Sequence, residues 1–89
     1  MKLVVTVVGK DRVGIIAIVS QILAENNVNI LSISQNILDG YFNMILIAEI
    51  GGSKIQLTDL QKKLRESGEE INVDIKAQHE DIFNVMHNI

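Results

Sequence analysis

The apolar residues of this chain switch repeatedly between a strand-like pattern and a helical period near 3.6. That switching is the feature that most limits its fold. Leu3 to Val8 is a short β-branched run closed by Gly9, which reads as a buried strand. A polar loop, Lys10-Asp11-Arg12-Val13-Gly14, follows. From Val13 to about Asn26, Ile15, Ile16, Val19, Ile22 and Leu23 share one helical stripe. Asp11 or Arg12 precedes that helix, and Asp is a good N-cap. Asn26-Asn27 closes it, because Asn tolerates the left-handed position at a helix end. Val28 to Leu38 reads as a second strand, with Ser32, Ser34 and Asn36 alternating with Leu31, Ile33 and Ile37. Asp39-Gly40 is a two-residue hairpin signal. Tyr41 to Ile50 is a third strand. Phe42, Met44, Leu46, Ala48 and Ile50 face one way, and Tyr41, Asn43 and Glu49 the other.

Gly51-Gly52 breaks that strand, and Ser53 with Gln56 fits a capping box. Leu57, Leu60 and Leu64 then form a narrow helical stripe, with Gly68 as the expected stop. Ile71, Val73, Ile75 and Ala77 alternate with Asn72, Asp74, Lys76 and Gln78, a fourth strand with one wet face. From His79 to Ile89, apolar residues at Ile82, Phe83, Met86 and Ile89 predict a short amphipathic helix. The order is β-α-β-β-α-β plus a tail. A faint internal echo pairs Val28-Asn29-Ile30 with Ile71-Asn72-Val73. Two such halves joined by a hairpin predict an α+β, ferredoxin-like sandwich. Right-handed crossovers put both helices on one face of an antiparallel sheet ordered 2-3-1-4. Strands 2 and 4 are then edges. Edges and an open face invite a partner unless the tail shields one of them.

Composition removes several functions that such a sandwich can host. A chain of 89 residues is one domain, and 47% apolar content is enough for a core. There is no Cys, so a thiolate metal site and a C-x-x-C metal carrier are excluded, and a reducing, cytoplasmic location is expected. Base stacking on the central strands needs aromatics that strand 1 lacks, and the net charge of −3 opposes a phosphate backbone, so no nucleic acid is expected. No stretch is long enough to span a membrane. Lys10 and Arg12 at a helix start suit a phosphate, as a small acylphosphatase-like hydrolase would use, but Asp11 between them opposes one. Ser32, Ser34 and Ser53 have no neighbouring His, so no catalytic triad is expected. His79, Glu80, Asp81 and His87 read as a solvated helix face, with no metal and no cofactor expected.

The segment Val8-Gly9-Lys10-Asp11-Arg12-Val13-Gly14-Ile15-Ile16, with Val28-Asn29-Ile30 after the helix, resembles the ACT domain family. Val13 departs from the Pro that many members carry at its position. The resemblance covers residues 1–78, and residues 79–89 form an extension. With that tail, the chain is most similar to short stand-alone bacterial ACT proteins related to the glycine-cleavage repressor. The resemblance implies a non-enzymatic regulatory module, often one that binds an amino acid at a homodimer interface. Gly9, Asp11, Arg12, Gly14 and Asn29 match the family pattern, and with the backbone amides of Val13, Gly14 and Ile15 they are the candidate ligand residues.

The loop chemistry suits a zwitterion. Amides at residues 13–15 can donate to a carboxylate, Asp11 can accept from an ammonium, and Gly9 and Gly14 allow close approach. A second role for Asp11, as a simple helix cap, stays open, as does a packing role for Gly14. A first helix about 14 residues long spans ~20 Å. Asn29 therefore falls at the far end of its own subunit and reaches this loop only from a second chain, through pairing of strand 2 edges. Without a ligand, the same surfaces would serve a protein–protein interaction module. In either case a separate, unidentified protein would read the output.

Overall fold

In the computed structural model of this chain, the described residues are 1–10, 13–51 and 55–87, with side chains as far as residue 84. The elements are β1 (Lys2–Lys10), α1 (Ile15–Glu25), β2 (Asn29–Leu38), β3 (Tyr41–Glu49), α2 (Leu57–Glu70), β4 (Val73–His79) and α3 (Glu80–His87). The four strands form one antiparallel sheet in the order β2-β3-β1-β4. This is the expected ferredoxin-like arrangement.

Alternation decides which residues enter the core. Leu3, Val5 and Val7 of β1, Phe42, Met44, Leu46 and Ala48 of β3, and Val73, Ile75 and Ala77 of β4 are all buried on one face. Ile15, Val19 and Leu23 of α1 and Leu60 and Leu64 of α2 close over them. The Asp39-Gly40 turn carries φ of 52° and 79°, the doubly left-handed pair that suits a tight hairpin. Its register sets Leu38 opposite Tyr41 and Ile37 opposite Phe42.

A bulge at Leu31 sets the phase of β2. Ile30 pairs with Ala48, but Ser32 pairs with Ile47, so Leu31 is the extra residue. Directly opposed residues share a face. Ile33, Gln35 and Ile37 therefore join Ile30 on the helix side, beside Leu46, Met44 and Phe42. Ser32, Ser34 and Asn36 take the opposite face. Even so, β2 is exposed from Leu31 to Leu38, because it lies beyond the cover of the helices.

Both helix-to-strand turns rely on Asn. Asn27 (φ 56°) follows α1, and Asn72 (φ 59°) follows α2. At the first, Asn27 N–H donates to the Ala24 carbonyl at 3.1 Å and Val28 N–H to the Leu23 carbonyl at 2.9 Å, a Schellman closure. The true internal echo thus pairs Asn27-Val28 with Asn72-Val73. The pairing of Asn29 with Asn72 suggested by sequence similarity is two residues out of step.

Three helix boundaries differ from the sequence expectation. α1 is capped at Gly14, not at Asp11 or Arg12, and those two lie outside the described residues. α2 begins at Leu57 with Gln56 as an extended N-cap that makes no side-chain bond. Gln56 therefore does not stand in the first turn, as a capping box with Ser53 requires, and Ser53 lies outside the described residues. Gly68 does not stop α2, which runs on to Glu70. Its role is packing, because a Cβ there would come 2.6 Å from the Val73 carbonyl oxygen.

Among the described residues, the opposite face of the sheet is covered at one side only. α3 packs against β1 and β4. Val4, which points away from α1 and α2, is 2% exposed beneath it. The His79 ring nitrogen Nδ1 accepts the Asp81 N–H at 3.1 Å, so His79 caps this helix.

Two predictions follow from packing and charge. Gly68→Ala gains about 1 kcal/mol of helix propensity. It also forces a methyl against backbone, which costs roughly 1–3 kcal/mol when neighbours cannot move. A carbonyl cannot rotate away as a side chain can, so a net loss of stability is expected, read as a lower denaturant midpoint. The second prediction concerns Glu49, whose carboxyl is held below the ordinary carboxylate range. Its hydrogen bond from the Met1 ammonium is the main cause and prevails over desolvation; the ammonium's charge, the Gly51 amide and Lys2 act in the same direction. A lowered folded-state value stabilises above the unfolded pKa of about 4.3 and is lost as pH falls through the folded value. The stability difference between the parent and Glu49→Gln is therefore largest near neutral pH and shrinks on acidification, which denaturant titrations across pH would show.

Candidate functional site

The β1–α1 connection and the end of β2 meet at one end of the sheet. β1 leaves the sheet at Gly9 and Lys10, opposite Phe42 and Tyr41. Gly9 also pairs with Val73, and a Cβ on it would come 2.7 Å from Val73 Cγ1 and 2.9 Å from Val73 Cα. Close packing of β1 on β4 therefore accounts for a glycine there. Gly14 has a different reason: its φ of 97° is left-handed, and the space around its Cβ position is open. It turns the chain into α1, and its carbonyl accepts the first helical bond from Ile18 N–H at 3.0 Å. Among the described residues no side chain caps this end, and the first turn holds no acidic residue. The first amides of a helix have no partner within it, and the dipole there favours negative charge.

These elements enclose an open groove of about 580 Å³. Val13, Gly14, Ile15, Ile16 and Ala17 line it from the helix side, and Gln35, Ile37 and Phe42 from the sheet. Val13 is 96% exposed at its rim, an unusual position for a β-branched apolar residue. Ile15 also lines the groove, although its side chain is 2% exposed and belongs to the core. Gln35 supplies the sole polar side chain among the described lining residues.

Of the residues marked from sequence, Gly9, Val13, Gly14 and Ile15 therefore lie at one end of the sheet, and Asp11 and Arg12 lie outside the described residues. Asn29 lies at the other end. It pairs with Glu49, which pairs in turn with Lys2, whereas Gly9 pairs with Phe42. From Phe42 to Glu49 along β3 is ~23 Å at ~3.3 Å per residue. Within one chain Asn29 does not reach the groove.

The sequence reading missed the sheet-side wall of Gln35, Ile37 and Phe42. Its one local trace is the adjacent Ile30-Leu31, where alternation breaks and the bulge resets which face Gln35 and Ile37 take.

The two edges of the sheet are not alike. At β4, Gln61 Nε2 donates to the Ala77 carbonyl at 2.7 Å, and Asp74 and Lys76 add charge. β2 has ten residues, no charged side chain and no Pro. Charge, proline and cover are the usual defences of an edge, and β2 shows none of the first two along its whole length.

Comparison with known proteins agrees with this architecture. The chain matches the sequence profile of the ACT domain over residues 1–78. It is 55% identical to the UPF0237 protein of Clostridium perfringens, over 100% of both chains. It is similar to the solved ACT domain protein from Streptococcus pneumoniae, with 42% identity, a TM-score of 0.81 and 93% of each chain covered. A glycine cleavage system transcriptional repressor shares the fold at 23% identity and a TM-score of 0.75, over 89% of this chain and 47% of that one. ACT proteins are typically regulatory modules that bind small ligands. No helix among the described residues is long and apolar enough to cross a membrane. The profile match and the full-length relatives establish that this chain belongs to the ACT domain family.

Proposed function

We propose that this protein is a non-enzymatic regulatory homodimer that binds an amino acid at the interface between its subunits. The observation that carries this reading is the unprotected β2 edge beside the groove. An unpaired strand with no charge and no Pro is a template for a second strand, and a two-fold copy of itself is the simplest partner. Full antiparallel overlap of Asn29–Leu38 with that copy would set Asn29 opposite the partner's Leu38. That position adjoins the partner's Ile37, a wall of its groove. Asn29 then stands beside the partner's site, at the end of the sheet that it cannot reach within its own chain.

The groove suits an amino acid in its parts. The open end of α1 favours a carboxylate. Asp11, in the loop before α1, supplies an acceptor for the ammonium. Val13, Ile16, Ile37 and Phe42 give the ligand's side chain an apolar wall, so an apolar amino acid fits best. A ligand held by both subunits favours the paired state, and this shift in dimer geometry or stability is the regulatory output.

Thermal denaturation against each of the twenty amino acids, with phosphate as control, tests the ligand. An apolar amino acid raises the midpoint, and at a hundredfold excess over Kd it adds about 2.7 kcal/mol. The rise is lost in Asp11→Ala and in Asn29→Ala. No response to any amino acid leaves a ligand-free interaction module, and acyl-phosphate hydrolysis that depends on Arg12 would replace the reading with an enzyme. Sedimentation tests the dimer separately. Ser34→Lys places two like charges beside the two-fold axis and is expected to dissociate it. A parent protein that is monomeric at micromolar concentration overturns the dimer.

A further inference from the structure

Gln35 interrupts an otherwise apolar groove. Val13, Ile16, Ala17, Ile37 and Phe42 offer a ligand only hydrocarbon side chains, and Gln35 is the one described lining residue whose side chain ends in hydrogen-bonding groups. Pairing fixes its place. Ile37 stands opposite Phe42 and Gln35 opposite Met44, so Gln35 lies one pleat further from the hairpin on the same face. One pleat is ~7 Å along a strand. α1 starts at the hairpin end and runs back over the sheet, which puts Ala17 ~4.5 Å along its axis from Gly14. Ala17 and Gln35 therefore form the inner end of the groove, and Gly14, Ile37 and Phe42 its mouth.

The carboxamide of Gln35 has no hydrogen-bond partner among the described residues, and the residue is exposed, so water satisfies it in the empty groove. Ala17 is also exposed and carries only a methyl group, so bulk does not close the inner end. What closes it is the cost of taking water from an amide. An apolar group laid against the carboxamide strips that water and returns no hydrogen bond, and a polar group left unpaired loses more than a formed bond gains.

We infer that Gln35 sets the length of ligand side chain that the groove accepts, favouring short branched apolar amino acids over long ones, an assignment that rests on the amino-acid reading proposed above. With the ligand carboxylate at the open amides of α1, the side chain of valine or isoleucine ends beside Ile37 and Phe42 and leaves Gln35 wet. That of methionine or phenylalanine extends to the next pleat and lies against the amide. A groove lined only by hydrocarbon would show the reverse order, because a longer side chain buries more apolar area. The groove is open, so water keeps part of its access to Gln35. The discrimination is therefore near the lower end of what an unpaired polar group causes, about tenfold in Kd.

Calorimetric titration of the full chain with valine, isoleucine, methionine and phenylalanine tests this. The parent is expected to bind the first pair about tenfold more tightly than the second. Gln35→Leu replaces the amide with hydrocarbon of similar size and is expected to reverse that order. Ser34→Ala, beside it on the opposite face, is expected to leave the order unchanged. A parent that binds methionine or phenylalanine as tightly as valine overturns the role of Gln35 and leaves amino-acid binding standing. So does a Gln35→Leu variant that keeps the parent's order, or a Ser34→Ala variant that reverses it. A parent that binds none of these ligands also overturns it, and thermal denaturation against the full set of amino acids then decides whether ligand binding itself survives.

Discussion

The structure depends on β1 being paired on both sides. Its ladders to β3 and β4 hold the sheet together, and Leu3, Val5 and Val7 project from it into the centre of the core. Because β1 is central, the loop that leaves it opens at an end of the sheet, where α1 must start. Because β3 lies between β1 and β2, the hairpin carries Ile37 and Phe42 to that same end. The place of the groove therefore follows from strand order, while Gly14 and the bulge at Leu31 shape its walls.

Strand order also makes the two edges and the two faces of the sheet unlike. α1 and α2 pack over β1, β3 and β4, and β2 is the strand left outside. α2 guards the other edge through Gln61 and the Ala77 carbonyl. α3 then packs against β1 and β4, and among the described residues no element packs on β2 and β3 from that side. Both the open edge and the open half-face, among the described residues, fall on β2 and β3.

Much of this was legible in the residues. The alternation in β3 and β4 assigned each side chain to its face, and Asp39-Gly40 announced its turn, because these signals are local and strong. Gly68 misled because glycine serves either to end a helix or to admit a close neighbour, and the neighbour, Val73, belongs to another element. Gly9 has the same ambiguity and the same answer, again Val73. Gly14 did stand at a helix start, but as the cap itself, since its left-handed backbone makes the turn that a side-chain cap would otherwise stabilise. The family resemblance marked Asn29 for the ligand, yet no local pattern could show Gln35 and Ile37 as a wall of the groove, because the bulge at Leu31 decides their face.

The sequence by itself determined the element order, the fold class, the core faces and the family, because periodicity and turn chemistry act over a few residues. Only the tertiary structure decided the phase of β2 against β3, the close approach that demands Gly9 and Gly68, and the half-face that α3 covers. Those depend on contacts between elements far apart in the chain, whose register is settled by packing and not by local preference.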